Sequence, residues 1–127
     1  MMELDLAGRT VTSCDFGYTV TIRFAGGREL DIESDLLLAR PDRRVELSPG
    51  VEVSEGAEML SELISLTVTS AMTEESGELR LKFEEGTMLS IEPDEEFESW
   101  TYVAPDGLKI VCMPGGELAV WSEERGR

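Results

Sequence analysis

Histidine is absent from all 127 residues. That removes the commonest general base, the usual catalytic triads and most zinc sites. The nucleophile elbow Gly-Xaa-Ser-Xaa-Gly, the P-loop and the Rossmann glycine pattern are also missing. Only two cysteines occur, Cys14 and Cys112; they are far apart and fit no metal-ligand spacing. In a reducing compartment they stay thiols; Cys14 aligns with Ala71 across an internal repeat and Cys112 sits in an apolar strand, which marks both as inert core positions. No apolar run approaches the ~18 residues of a membrane span. The opening MMELDLAGRT has neither the basic start nor the apolar core of a signal peptide, so a cytoplasmic protein is expected.

Cationic residues are scarce, 11 against 27 acids, for a net charge of −16. The deficit is uneven. Residues 1–44 carry 8 acids and 6 bases, residues 45–124 carry 19 acids and 3 bases, and the end at 125–127 adds two arginines. Such a field repels nucleic acid and anionic membrane and attracts a basic protein or cations. Solubility alone is the plain alternative.

The length suits a single domain, 1–127, able to bury a core without disulfide or metal. An internal duplication organises it. VTSCDFGYTVTIRFAGGRELDIE (11–33) resembles VTSAMTEESGELRLKFEEGTMLSIE (68–92). Val11-Thr12-Ser13 matches Val68-Thr69-Ser70; after two inserted residues Val20, Ile22 and Phe24 match Leu79, Leu81 and Phe83. Each copy reads as strand, turn, strand. Tyr18, Val20, Ile22 and Phe24 alternate with polar residues, as do Leu79, Leu81 and Phe83, which places each apolar set on one face. The loops Ala25-Gly26-Gly27 and Glu84-Glu85-Gly86 supply glycine for the hairpin turns.

Between the copies, DLLLAR and RRVELS flank Pro41-Asp42 as another hairpin. One short helix is expected around residues 55–65, N-capped by Ser54, with Leu60, Leu63 and Ile64 on its apolar side. The last segment reads as three strands, Ser99–Ala104, Leu108–Met113 and Glu117–Trp121, turning at Pro105-Asp106-Gly107 and Pro114-Gly115-Gly116. The fold class is therefore mainly β (β-rich α+β). About nine strands form two antiparallel meanders, arranged up-and-down as a sandwich or partly open barrel.

Several features invite chemistry. Asp94, Glu95, Glu96 and Glu98 precede Trp100, and paired carboxylates serve glycosidases. With so many acids in one chain, however, some clustering is inevitable. PDEEFE also lacks the ligand spacing of a calcium loop. A solvated acidic turn is the simpler reading, and no enzyme activity, metal or cofactor is expected. Trp100 and Trp121 bracket the closing strands, where indoles usually cover the end of a β core. Their second reading is an aromatic anchor on a partner-binding face.

The VTS-initiated hairpin, Phe97-Glu98-Ser99-Trp100, the Pro105-Asp106-Gly107 turn and the ending Pro114-Gly115-Gly116-Glu117-Leu118-Ala119-Val120-Trp121 resemble a family of small bacterial proteins of unknown function. PGGELAVW is the most specific part. The resemblance implies a bacterial, cytoplasmic, β-rich domain and contributes no catalytic residues. There is a looser similarity to acidic immunity proteins found beside bacterial toxins.

The expectation is a non-enzymatic acidic module that binds a basic protein, with an inhibitor or immunity-type partner as its concrete form. Candidate contact residues are Glu74, Glu75, Glu84, Glu85, Asp94, Glu95, Glu96, Glu98, Trp100 and Trp121. The alternatives are a small-molecule binder in a barrel mouth and a homo-oligomer, such as a homodimer, joined through edge strands.

Overall fold

The computed structural model describes residues 1–122; the basic end at 125–127 lies outside them. In chain order the strands are β1 (Met2–Glu3), β2 (Val11–Phe16), β3 (Val20–Phe24), β4 (Arg28–Ile32), β5 (Leu36–Arg40) and β6 (Arg43–Leu47). A helix, α1 (Val53–Leu60), runs into a 3-10 turn at Ser61–Leu63. Then follow β7 (Val68–Thr73), β8 (Leu79–Phe83), β9 (Met88–Ile91), β10 (Trp100–Val103), β11 (Lys109–Cys112) and β12 (Leu118–Trp121). They form two six-stranded antiparallel sheets, β1-β7-β8-β9-β5-β6 and β12-β11-β10-β4-β3-β2, and among the described residues no closed barrel.

The described strands outnumber the nine expected, chiefly because β2 and β7 escape the period-two signal. Both carry a register shift, between Val11 and Ser13 and between Val68 and Ser70. A bulge inserts a residue and breaks the alternation that reveals a strand. In each copy the threonine within the bulge bonds across the hairpin: Thr12 Oγ1 donates to the Arg23 carbonyl and Thr69 Oγ1 to the Lys82 carbonyl, both at 3.2 Å.

The up-and-down arrangement needs correction. It holds within β2-β3-β4 and within β7-β8-β9, but the links from β4 to β5 and from β9 to β10 both change sheet. A three-strand meander leaves a bare outer edge. The hairpin after the first copy closes the edge of the second, pairing Leu36 with Ile91. The strands after the second copy close the edge of the first, pairing Trp100 with Ile32. The two copies are thereby locked together, and Val20, Ile22, Phe24, Leu30, Ile32, Leu79, Leu81, Phe83, Leu89 and Ile91 share one buried cluster.

The two copies meet around Thr10 and Thr67, which bridge each other. The bonds on either side repeat at an offset of 57: the Val11 amide donates to Leu66 and the Val68 amide to Arg9. Gly8 donates to Val68, and Ser65 to Val11. Gly8 (φ 87°) and Ser65 (φ 79°) share a left-handed conformation. Leu6 and Leu63, at the same offset, are both fully buried.

The helix breaks this symmetry. It covers β2, and its Gly56 lies against the Phe16 ring; a Cβ there would stand 2.5 Å from Phe16 Cζ. Ser54 does not cap it. The turn Ser48–Val51 delivers the chain to Glu52 in a left-handed conformation (φ 48°), with no side-chain cap, and helical geometry begins at Val53. Leu60 and Leu63 are buried as expected, whereas Ile64 is exposed. The tighter 3-10 turn keeps i and i+3 in line and swings i+4 off the apolar stripe. Tyr18 also departs from expectation. It lies in the β2–β3 turn beside Gly50 rather than on the buried face, and is 92% exposed.

Candidate functional site

Three links change sheet, and two of them, β4 to β5 and β9 to β10, run side by side. Glu33-Ser34-Asp35 joins β4 to β5, and the link starting Glu92-Pro93-Asp94 joins β9 to β10. They occupy equivalent places in the two copies, and Ser34 Oγ donates to the Glu92 carbonyl at 3.3 Å. Together with Leu36, Leu37, Glu46 and Phe97 they line an open groove of about 540 Å³. Five carboxylates border it, from Glu33, Asp35, Glu46, Glu92 and Asp94, and among the described residues no base lines it.

The Asp94 carboxylate organises the longer link, accepting bonds from the amides of Glu96 (2.7 Å) and Phe97 (3.2 Å). Ser99 Oγ accepts from the Asp94 amide at 2.6 Å. With the backbone turned this way, Phe97 stands 61% exposed among Glu95, Glu96 and Glu98. The anchors expected from the sequence are the tryptophans, not Phe97. Its cue was an aromatic outside any alternating run, in a stretch with no other apolar residue between Pro93 and Trp100.

The ten expected contact residues do not form one patch. Glu74 and Glu75 begin the β7–β8 turn, at the sheet end from which the Asp94 link departs. Glu84 and Glu85 lie in the β8–β9 turn, at the opposite end of the same strands. Glu75, Glu84, Glu85, Glu95, Glu96 and Glu98 are exposed; Glu74 and Asp94 are partly buried.

The tryptophans have different fates. Trp100 is 1% exposed and donates its indole N–H to the Gly77 carbonyl at 3.2 Å. It is core, because β10 is the strand that closes the first copy's edge, and it presents no area to a partner. Trp121 is 52% exposed, with Lys109 Nζ 5.6 Å from its ring centre. It ends β12, whereas the acidic link adjoins the opposite end of sheet two, so an anchor combining both tryptophans with those acids is not assembled.

A separate ionic contact ties the N-terminal segment to sheet two. Arg28 Nη2 bonds one oxygen of Asp5 at 2.7 Å and Tyr102 Oη donates to the other at 2.6 Å. The Arg28 hydrogen bond holds the Asp5 carboxyl below its usual range. Burial, followed by the bond to Asp5, raises the Tyr102 hydroxyl. Burial, reinforced by nearby Asp15, pushes the Cys14 thiol up to about 12, and burial also raises Cys112. Neither thiol has the depressed pKa of a nucleophile.

Among the described residues, no helix is long and apolar enough to cross a membrane. Neither the curated proteins nor the solved structures contain a match to the chain. A family model does match it, over residues 2–122, nearly the whole two-sheet unit. The chain belongs to that family, a family of unknown function designated DUF6188.

Proposed function

We propose that this protein is a non-enzymatic, acidic binding module for a basic protein, acting in the cytoplasm by occluding a surface of its partner. The observation that carries the reading is the groove between the β4–β5 and β9–β10 links: five carboxylates, no base among its described lining residues, and Phe97 standing at its rim. Carboxylates around such a groove steer a cationic partner and set its register, while the exposed aromatic beside them supplies contact area that binding desolvates. An inhibitor or immunity-type partner is the concrete form this takes. Glu74, Glu75, Glu95, Glu96 and Glu98 extend the field around the groove; Phe97 replaces Trp100 as the anchor.

Capture from native lysate at low and high salt tests the reading. A basic protein retained at low salt, lost at high salt and weakened by Asp94→Lys or Phe97→Ser supports it. An acidic partner, or retention indifferent to salt and to both substitutions, refutes it.

A homodimer is the second reading. It is favoured by β12, an edge strand on which Val120 and Trp121 are each about half exposed. A monomer mass by light scattering at high protein concentration would eliminate it. The small-molecule reading has less support, since Val20, Ile22, Phe24, Leu79, Leu81 and Phe83 fill the interior where a barrel mouth would hold a ligand.

A further inference from the structure

β6 is an edge strand, and the internal symmetry shows what it lacks. β5 closes the edge of β9 as β10 closes the edge of β4, so Leu36 and Leu38 correspond to Trp100 and Tyr102. β6 then corresponds to β11, with Val45 equivalent to Ile110. The outer side of β11 is covered by β12, whereas among the described residues no strand covers the outer side of β6.

Beyond that bare edge lies an open groove of about 410 Å³. One wall is Val45–Ser48; the other is α1 and its approach, including Val51, Gly56 and Met59. Glu46, Glu52, Glu55 and Glu58 supply its carboxylates, and among the described residues no base lines it. The nearest bases on β6 are Arg43, which is paired with Glu62, and Arg44, beyond the groove toward the hairpin turn.

The edge offers backbone groups in register. The two-residue turn Pro41-Asp42 makes Arg40 and Arg43 a hydrogen-bonded pair, and the antiparallel alternation repeats this at Leu38–Val45 and Leu36–Leu47. Arg44 and Glu46 therefore direct their amide and carbonyl groups away from β5, toward the open side.

We propose that an extended, basic segment of the partner adds to β6 as a seventh, antiparallel strand, occupying on the first sheet the place that β12 occupies on the second. Residues facing Val45 and Leu47 take the roles of Val120 and Leu118, which face Ile110 and Cys112, and are apolar. The intervening residue takes the role of Ala119 and carries Lys or Arg toward Glu46. Basic residues on the flanks face Glu52, Glu55 and Glu58. Backbone pairing supplies affinity and the alternate side chains supply specificity, as in strand addition generally. The inference rests on the basic-partner reading and adds the mode of capture.

The probe is an acetylated, amidated peptide of alternating valine and arginine, seven residues long, titrated into the full chain. Titration calorimetry is combined with backbone amide exchange. Strand addition requires the Arg44 and Glu46 amides to gain protection on binding. Arg44→Pro removes one outward donor without touching the bonds to β5, a change edge strands tolerate; it is expected to weaken binding at least tenfold, while Arg44→Ala does not. Protection gained at Asp94 and Phe97 instead, with β6 unchanged, overturns strand addition and leaves the acidic-module reading standing. Absence of peptide binding at low salt overturns strand addition; absence of any basic partner in lysate removes the reading beneath it. The amide measurement uses the unaltered chain, so a poorly folded Arg44→Pro variant does not decide the matter.

Discussion

Gly77 and Gly116 lie backbone against backbone where the β7–β8 turn meets the β11–β12 turn. Each has positive φ, 99° and 102°, and a Cβ on either would overlap the other turn: Gly116 carbonyl for Gly77, Ser76 carbonyl for Gly116. The Gly77 carbonyl also accepts the Trp100 indole N–H at 3.2 Å and lies 3.6 Å from the Cys112 thiol. This contact joins the two sheets at the end where the acidic link departs.

Gly116→Ala must therefore displace backbone as well as adopt a strained φ. A loss of about 2–4 kcal/mol is expected. Neighbouring Gly115 has φ 87° but open space around a Cβ, so Gly115→Ala is limited to the conformational cost, about 1–2 kcal/mol. Urea denaturation of the two variants checks the difference; equal losses would mean that the contact between the turns is not what matters.

Gly56→Ala drives a methyl group into the Phe16 ring, at an overpacking cost of about 1–3 kcal/mol. The gain in helix propensity, about 1 kcal/mol, offsets only part of it. Phe16→Leu is expected to relieve the clash, and a double-mutant cycle reads this as a coupling of opposite sign to the Gly56→Ala loss.

Thr87 is 1% exposed and its hydroxyl has no hydrogen-bond partner among the described residues. Thr87→Val keeps the shape and removes the unpaired polar atom, so stability is expected to rise by about 1 kcal/mol. A lower melting temperature would reveal a partner for that hydroxyl.

Asp5, lowered chiefly by its bond to Arg28, and Tyr102, raised chiefly by burial, make stability depend on pH at both extremes. Asp5 is depressed, so its contribution is present above its unfolded pKa, near 3.9, and is lost as pH falls through the folded value. Tyr102 is raised, so its contribution is present below about 10 and is lost as pH rises through the folded value. Asp5→Asn is expected to flatten the acid limb, and Tyr102→Phe the alkaline limb at a cost of about 1–2 kcal/mol. Denaturation midpoints across pH 2–11 check both; parallel profiles for variant and parent would exclude the linkage.

Local pattern made much of this molecule legible. Val20-Ile22-Phe24 and Leu79-Leu81-Phe83 announce buried faces because the β side-chain period is two. Pro105-Asp106-Gly107 and Pro114-Gly115-Gly116 mark turns through fixed or positive φ. The bulged strands were obscured because one inserted residue at Thr12 or Thr69 resets the alternation. The extension of the repeat to Leu6 and Leu63 was written in LAGRTVTS and LISLTVTS, but is too sparse to stand out without the backbone bonds it supports.

The sequence by itself determined the β-rich class, the duplicated apolar faces, the turn positions and the acidic surplus, all properties of neighbouring residues and total charge. Only the tertiary structure decided that each copy is closed by strands following the other, that Trp100 is interior while Phe97 meets solvent, and that β6 is the last strand of its sheet among the described residues. Which strand closes which edge depends on backbone pairing between segments far apart in the chain, and such pairing leaves no local periodicity to read.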